Sequence, residues 1–129
     1  MSTMNPIVHF EIPYDDPKRA TRFYKAAFGW DVNEIPGMSY HMATTTPSSE
    51  KGPKEPGAIN GGFYPRKGSD APNPVLVVNV ADIEKHRALV AKAGGKVVTE
   101  TVKVGDFGLY ARFTDPEGNL LGLWQDLKK

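Results

Sequence analysis

Two side chains able to move a proton stand close together near the start of the chain, His9 and Glu11 in "VHFEIPYDD". Val8, Phe10 and Ile12 alternate with them, the period of a strand with one apolar face. Successive strand side chains point to opposite faces, so His9 and Glu11 project together from the polar one. A carboxylate there can act as a general base and an imidazole can polarise an oxygen. Glu11 and His9 are therefore the candidate catalytic residues. Plainer roles stand beside these: His9 as a hydrogen-bonded core histidine, and Glu11 as a strand carboxylate satisfied by a lysine or a backbone amide. A divalent ion wants three or more N or O ligands, and His9 and Glu11 supply two. A third would come from Asp126, His41 or a partner chain, and no H-x-H or H-E-x-x-H spacing occurs. A divalent metal is thus the weaker expectation, and no cofactor is expected. His41 and His86 read as structural or exposed.

The elements that must position these residues are legible by comparing the chain with itself. After the first strand, "DPKRATRFYKAAFG" opens with Asp16 as N-cap and Pro17 at the first helical position. Ala20, Phe23, Tyr24, Ala27 and Phe28 recur at helical spacing, and Gly29 stops the helix. The plan repeats: "VLVVNVAD" is a strand, Asp82 an N-cap, "IEKHRALVAKA" a helix, and Gly94-Gly95 its stop. Asp16 and Asp82 lie 66 residues apart, as do Gly29 and Gly95. Downstream "YHMAT" parallels "YARFT", and "PGAINGGFY" parallels "EGNLLGLWQ", which sets Gly61 against Gly122. Each half reads strand–helix–strand–strand–strand. The expected division is 1–64 for the first unit, 65–74 for a linker and 75–129 for the second, within one domain. "TPSSEKGPKEPG" reads as a mobile surface loop.

Composition narrows the function classes. The chain of 129 residues is 40% hydrophobic and 24% charged, with a formal net charge of +1. That balance gives no reason to expect nucleic acid or a membrane as partner. No apolar run approaches a membrane span, and the N-terminus lacks a signal-peptide pattern, so a cytoplasmic protein is expected. With no cysteine there is no disulfide, thiolate metal site or Cys nucleophile. The G-x-S-x-G elbow, the Walker loop and G-x-G-x-x-G are absent, and the glycines of "INGGF" sit inside a strand signal rather than opening a helix.

The duplicated βαβββ plan, the His-bearing first strand, the "RFYKAAFGW" helix end and the closing "DPEGNLLGLWQ" together resemble the vicinal oxygen chelate superfamily. That group includes glyoxalase I, extradiol dioxygenases and the bleomycin and fosfomycin resistance proteins. In detail the chain is similar to bacterial glyoxalase-like proteins ending in GLWQ. The resemblance implies an α+β fold, two tandem βαβββ units forming a curved mixed-sheet cup with helices outside. It also implies metal-ligand positions on the first and last strands of each unit. These fall at His9, Gly61, Val75 and Gly122, so His9 alone survives and no family metal is expected.

Strand alternation sends Ile59, Gly61 and Phe63 inward with His9 and Glu11. It also sends Val75, Val77 and Asn79, and Leu120, Gly122, Trp124 and Asp126, inward from the second half. The expected ligand-binding set is His9, Glu11, Ile59, Gly61, Phe63, Val75, Val77, Leu120, Gly122 and Trp124. Apolar walls with few polar anchors suit a small, partly apolar or aromatic molecule. Trp124 and Phe63 would stack on such a ligand or simply fill the core. Two alternatives stand beside a binding protein. One is a glyoxalase-like lyase, isomerase or dioxygenase working through a divalent metal or through Glu11 and His9. The other is a dimeric interaction domain, since the resemblance implies a homodimer: superfamily members of this size commonly pair.

Overall fold

The computed structural model describes residues 4–127. In chain order the elements are β1 (Ile7–Tyr14), α1 (Pro17–Phe28), β2 (Asp31–Glu34), β3 (His41–Thr44), β4 (Ser48–Ser49), β5 (Gly52–Pro53) and β6 (Asn60–Pro65). Then follow β7 (Val75–Asn79), α2 (Ile83–Lys92), β8 (Lys96–Val97), β9 (Val102–Val104), β10 (Gly108–Thr114) and β11 (Leu120–Asp126). Two compact units result, one from His9 to Pro74 and the other from Val75 onward together with the residues through Val8. Asn79 N–H donates to the Pro6 carbonyl at 2.9 Å, which ties that first segment to β7. The chain is α+β, and no helix among the described residues is long and apolar enough to cross a membrane.

In the first unit the strand order is β2-β3-β6-β1, with β1 parallel to β6 and the other pairs antiparallel. Asp16 caps α1 by accepting from the Lys18 and Arg19 amides at 3.0 and 3.2 Å. Gly29 ends the helix at φ 73°, a left-handed conformation that glycine adopts without Cβ strain. The helix lays its aromatic face on the sheet. Tyr24 stacks on Trp30 with centroids 4.9 Å apart and meets Phe63 at 5.2 Å, and Phe63 is 1% exposed. The segment expected as a mobile surface loop, between β3 and β6, carries the short β4–β5 ribbon. Asn60 holds it, donating to Ser48 Oγ at 2.8 Å and accepting from the Thr45 amide at 2.9 Å. The stretch after β6 is likewise tied down, because the Tyr64 hydroxyl donates to the Ala71 and Asn73 carbonyls at 2.6 and 2.9 Å.

In the second unit β7-β11-β10-β8 run in order, with β7 parallel to β11 and β9 added on β10. Asp82 caps α2 through the Lys85 amide at 3.2 Å. Under that helix Val80, Ile83, Ala111 and Leu123 form a buried cluster, with Val78, Val90, Leu109 and Phe113 packed around it. Both units thus follow the strand–helix–strand–strand–strand plan, and β9 is the one main-sheet strand among the described residues without a counterpart.

Deleting a ring that the α1 aromatics cover leaves a cavity they cannot fully close. Phe63→Ala is expected to cost about 3–5 kcal/mol of stability, read from urea midpoints. A loss under about 1 kcal/mol would place the ring outside the core.

Candidate functional site

Register decides which side chains meet. β1 and β6 pair with Phe10 opposite Gly61, Glu11 opposite Gly62 and Ile12 opposite Phe63. Paired residues share a face, so Glu11 and Gly62 lie together, while Phe10, Gly61, Ile12 and Phe63 lie on the other side. Phe10 and Phe63 both meet Trp30, so that other side is the helix side. The expectation that Ile59, Gly61 and Phe63 face inward with His9 is therefore corrected. Gly61 and Phe63 face α1, and Ile59 precedes the strand. Aligning Gly61 with Gly122 sets the fourth main strand one residue out of step, and one residue reverses every facing on a strand.

Gly62 is the residue under the site. A Cβ there would collide with the hydroxyl and ring of Tyr40. Tyr40 precedes β3, in which Met42 lies opposite Gly62, so the tyrosine reaches the Glu11 face by strand alternation. Its hydroxyl stands 2.9 Å from His9 Nε2 and donates to Glu11 Oε2 over a longer 3.5 Å. The structure thus brings His9 and Glu11 together through Tyr40, with Glu11 only 8% exposed. Tyr40 is a site residue that sequence reasoning misses, although "YHMAT" and "YARFT" flag it as half of a repeated tyrosine. Burial holds the His9 imidazole below its ordinary value of 6.5, and the negative charge of Glu11 offsets this in part. His9 is therefore neutral at neutral pH.

The second unit repeats the device. Gly122 lies opposite Val77 on one side and Arg112 on the other. A Cβ on it would come 2.8 Å from the Tyr110 hydroxyl, which accepts from Arg112 Nε at 2.9 Å. Val75, Val77, Leu120, Gly122 and Trp124 share this face, away from the Val78–Leu123 core under α2. Asp126 is engaged there, accepting from Trp124 Nε1 and from Asn79 Nδ2, each at 2.8 Å. The glycine equivalent to Gly122 is Gly62, since each lies under the hydroxyl of a repeated tyrosine.

These side chains do not fit the metal that the resemblance implies. Of the ligand positions, His9 is the one that donates; the others are two glycines and Val75, and a tyrosine ring stands over Gly62 and Gly122. His41, a candidate third ligand, turns to the opposite face and packs edge-on against Tyr14 at 5.5 Å. Among the described residues no three His, Cys, Asp or Glu side chains gather closely enough to hold an ion.

Because folding lowers the His9 pKa, the unfolded chain takes up this proton first as pH falls. The His9 contribution therefore leaves stability untouched above about pH 6.5 and removes it progressively below. Urea midpoints between pH 7.5 and 5 are expected to fall less in His9→Gln than in the unsubstituted chain. Equal falls would mean that His9 is not desolvated.

Comparison with known proteins agrees with this architecture. A hypothetical protein from Bacillus halodurans C-125 superposes with a TM-score of 0.69 at 14% identity, covering 98% of each chain. A variant of Streptomyces coelicolor methylmalonyl-CoA epimerase, in complex with 2-nitronate-propionyl-CoA, superposes with a TM-score of 0.67 at 17% identity, covering 98% of this chain and 100% of that one. A glyoxylase-like domain-containing protein from Didymella fabae is 30% identical over 115 residues, 84% of each chain. The family model for the Glyoxalase/Bleomycin resistance protein/Dioxygenase superfamily matches residues 6–123, and the chain belongs to that superfamily.

Proposed function

We propose that the chain binds a small, partly apolar or aromatic molecule on the His9–Glu11 face and does so without the family metal. The observation that carries this is the hydrogen-bonded set of His9, Tyr40 and Glu11, where one metal-ligand position of four still bears a donor. A buried carboxylate and a neutral imidazole joined by a phenol are polar anchors that orient a ligand without Lewis-acid help. Val75, Val77, Leu120, Gly122 and Trp124 form the corresponding, more apolar face of the second unit.

A second reading, a proton-transferring lyase or isomerase, is favoured by the same set. The Tyr40 hydroxyl links base to imidazole, the arrangement general acid–base catalysis needs. The S. coelicolor neighbour is an epimerase, which keeps proton transfer in view. A ligand recovered chemically unchanged after incubation supports binding alone. The proposal includes a homodimer, supported by the exposed apolar side chains of Phe23, Phe28 and Leu76 and read by light scattering.

The test is elemental analysis of the purified protein beside a thermal-shift screen of aromatic compounds with and without a chelator. A ligand at about 100 times its Kd adds about 2.7 kcal/mol, which raises Tm by several degrees. Sub-stoichiometric metal and a shift indifferent to chelator are expected. Stoichiometric Ni, Zn, Fe or Mn, or stabilisation only when metal is added, would overturn the proposal.

A further inference from the structure

His9 has two ring nitrogens, and which one bears the proton decides what kind of ligand atom it can meet. A neutral imidazole carries one N–H and one bare nitrogen, a carboxylate only accepts, and a phenol offers one proton. Of the two groups beside the Tyr40 hydroxyl, the Glu11 carboxylate is the one that can only accept, so we assign the phenol proton to Oε2, 3.5 Å away. With the proton so assigned, the phenol oxygen turns its lone pairs to His9 Nε2, 2.9 Å away, and that nitrogen is the one bearing hydrogen. The opposite arrangement, Tyr40 donating to Nε2, would aim the phenol lone pairs at Oε2 of a carboxylate that is nearly excluded from water.

His9 Nδ1 has no hydrogen-bond partner among the described residues. The buried side-chain polar atom in that condition is His41 Nδ1, so His9 Nδ1 keeps contact with solvent. We propose that Tyr40 is a positioning residue that holds His9 in the Nε2–H tautomer, leaving Nδ1 as acceptor for a ligand that donates a hydrogen bond, a hydroxyl or an amide N–H. Gly62 makes this possible, because any side chain beneath the phenol would push its hydroxyl away from His9 and Glu11. The inference rests on the proposed binding face. It also excludes from Nδ1 a bare carbonyl or an anion, which would need the other tautomer.

Nitrogen-15 NMR of the full chain tests it, with His9→Gln used to assign the His9 signals among three histidines. At pH 7.5 the ratio of Nε2–H to Nδ1–H forms is expected to favour Nε2–H strongly. It should fall by about fivefold in Tyr40→Phe, the factor for losing one ordinary hydrogen bond. Tyr40→Phe keeps the ring over Gly62, so the fold is retained. An Nδ1–H form dominant in the unsubstituted chain, or an unchanged ratio in Tyr40→Phe, would overturn the positioning role. Phenol, a donor, is expected to shift the Nδ1 resonance, and anisole, the same ring without a donor, is not. Equal shifts, or none with phenol, would overturn the ligand class. The tautomer is read without ligand, so a failed ligand screen and a failed positioning role remain distinguishable.

Discussion

A phenol comes this close to a strand only where the residue beneath it lacks a side chain. Tyr40 over Gly62 meets that condition, and so does Tyr110 over Gly122. In the first unit the close approach lets one hydroxyl touch both His9 and Glu11. In the second it brings a hydroxyl to Arg112. Glycine in a strand interior costs about 0.5–1 kcal/mol relative to alanine, so a gap kept at two repeat-related positions calls for a compensating contact. The tyrosines supply it. The rest of each unit, from capped helix to antiparallel strands, holds those residues at that spacing.

The same constraint explains why the superfamily's metal finds no home among these side chains. Three of the positions that the resemblance assigns to ligands hold two glycines and a valine. The space that a longer side chain would cross above Gly62 and Gly122 is taken by phenol rings. His9 keeps its place on β1 but answers to a hydroxyl, and burial keeps it neutral. A neutral imidazole beside a buried carboxylate brings hydrogen-bonding groups to this face rather than a fixed positive charge.

Much of the fold is legible in the residues because it rests on local chemistry. Asp16 and Asp82 are caps, Gly29 is a left-handed stop, and the alternation of Val8, Phe10 and Ile12 against His9 and Glu11 sets the facing of β1. The site is only half legible, and the failure has one cause. "INGGF" offers two adjacent glycines, and composition does not say which one lies under a tyrosine. Aligning on Gly61 turns Phe63 from core into a supposed pocket wall. Tyr40 is hidden for a related reason: it precedes its strand, and its role depends on Gly62, far along the chain. The β4–β5 ribbon is hidden because Asn60, not a local turn signal, holds it.

The dependence of the site on this fit is measured most directly by a double-mutant cycle on Gly62 and Tyr40. Gly62→Ala in the unsubstituted chain should lose about 1–3 kcal/mol in urea unfolding, the cost of overpacking. In a Tyr40→Ala background, with the ring gone, the same substitution should cost less than about 0.5 kcal/mol, giving a coupling well above the additive limit. Equal costs in both backgrounds would contradict the account, because Gly62 would then owe nothing to Tyr40.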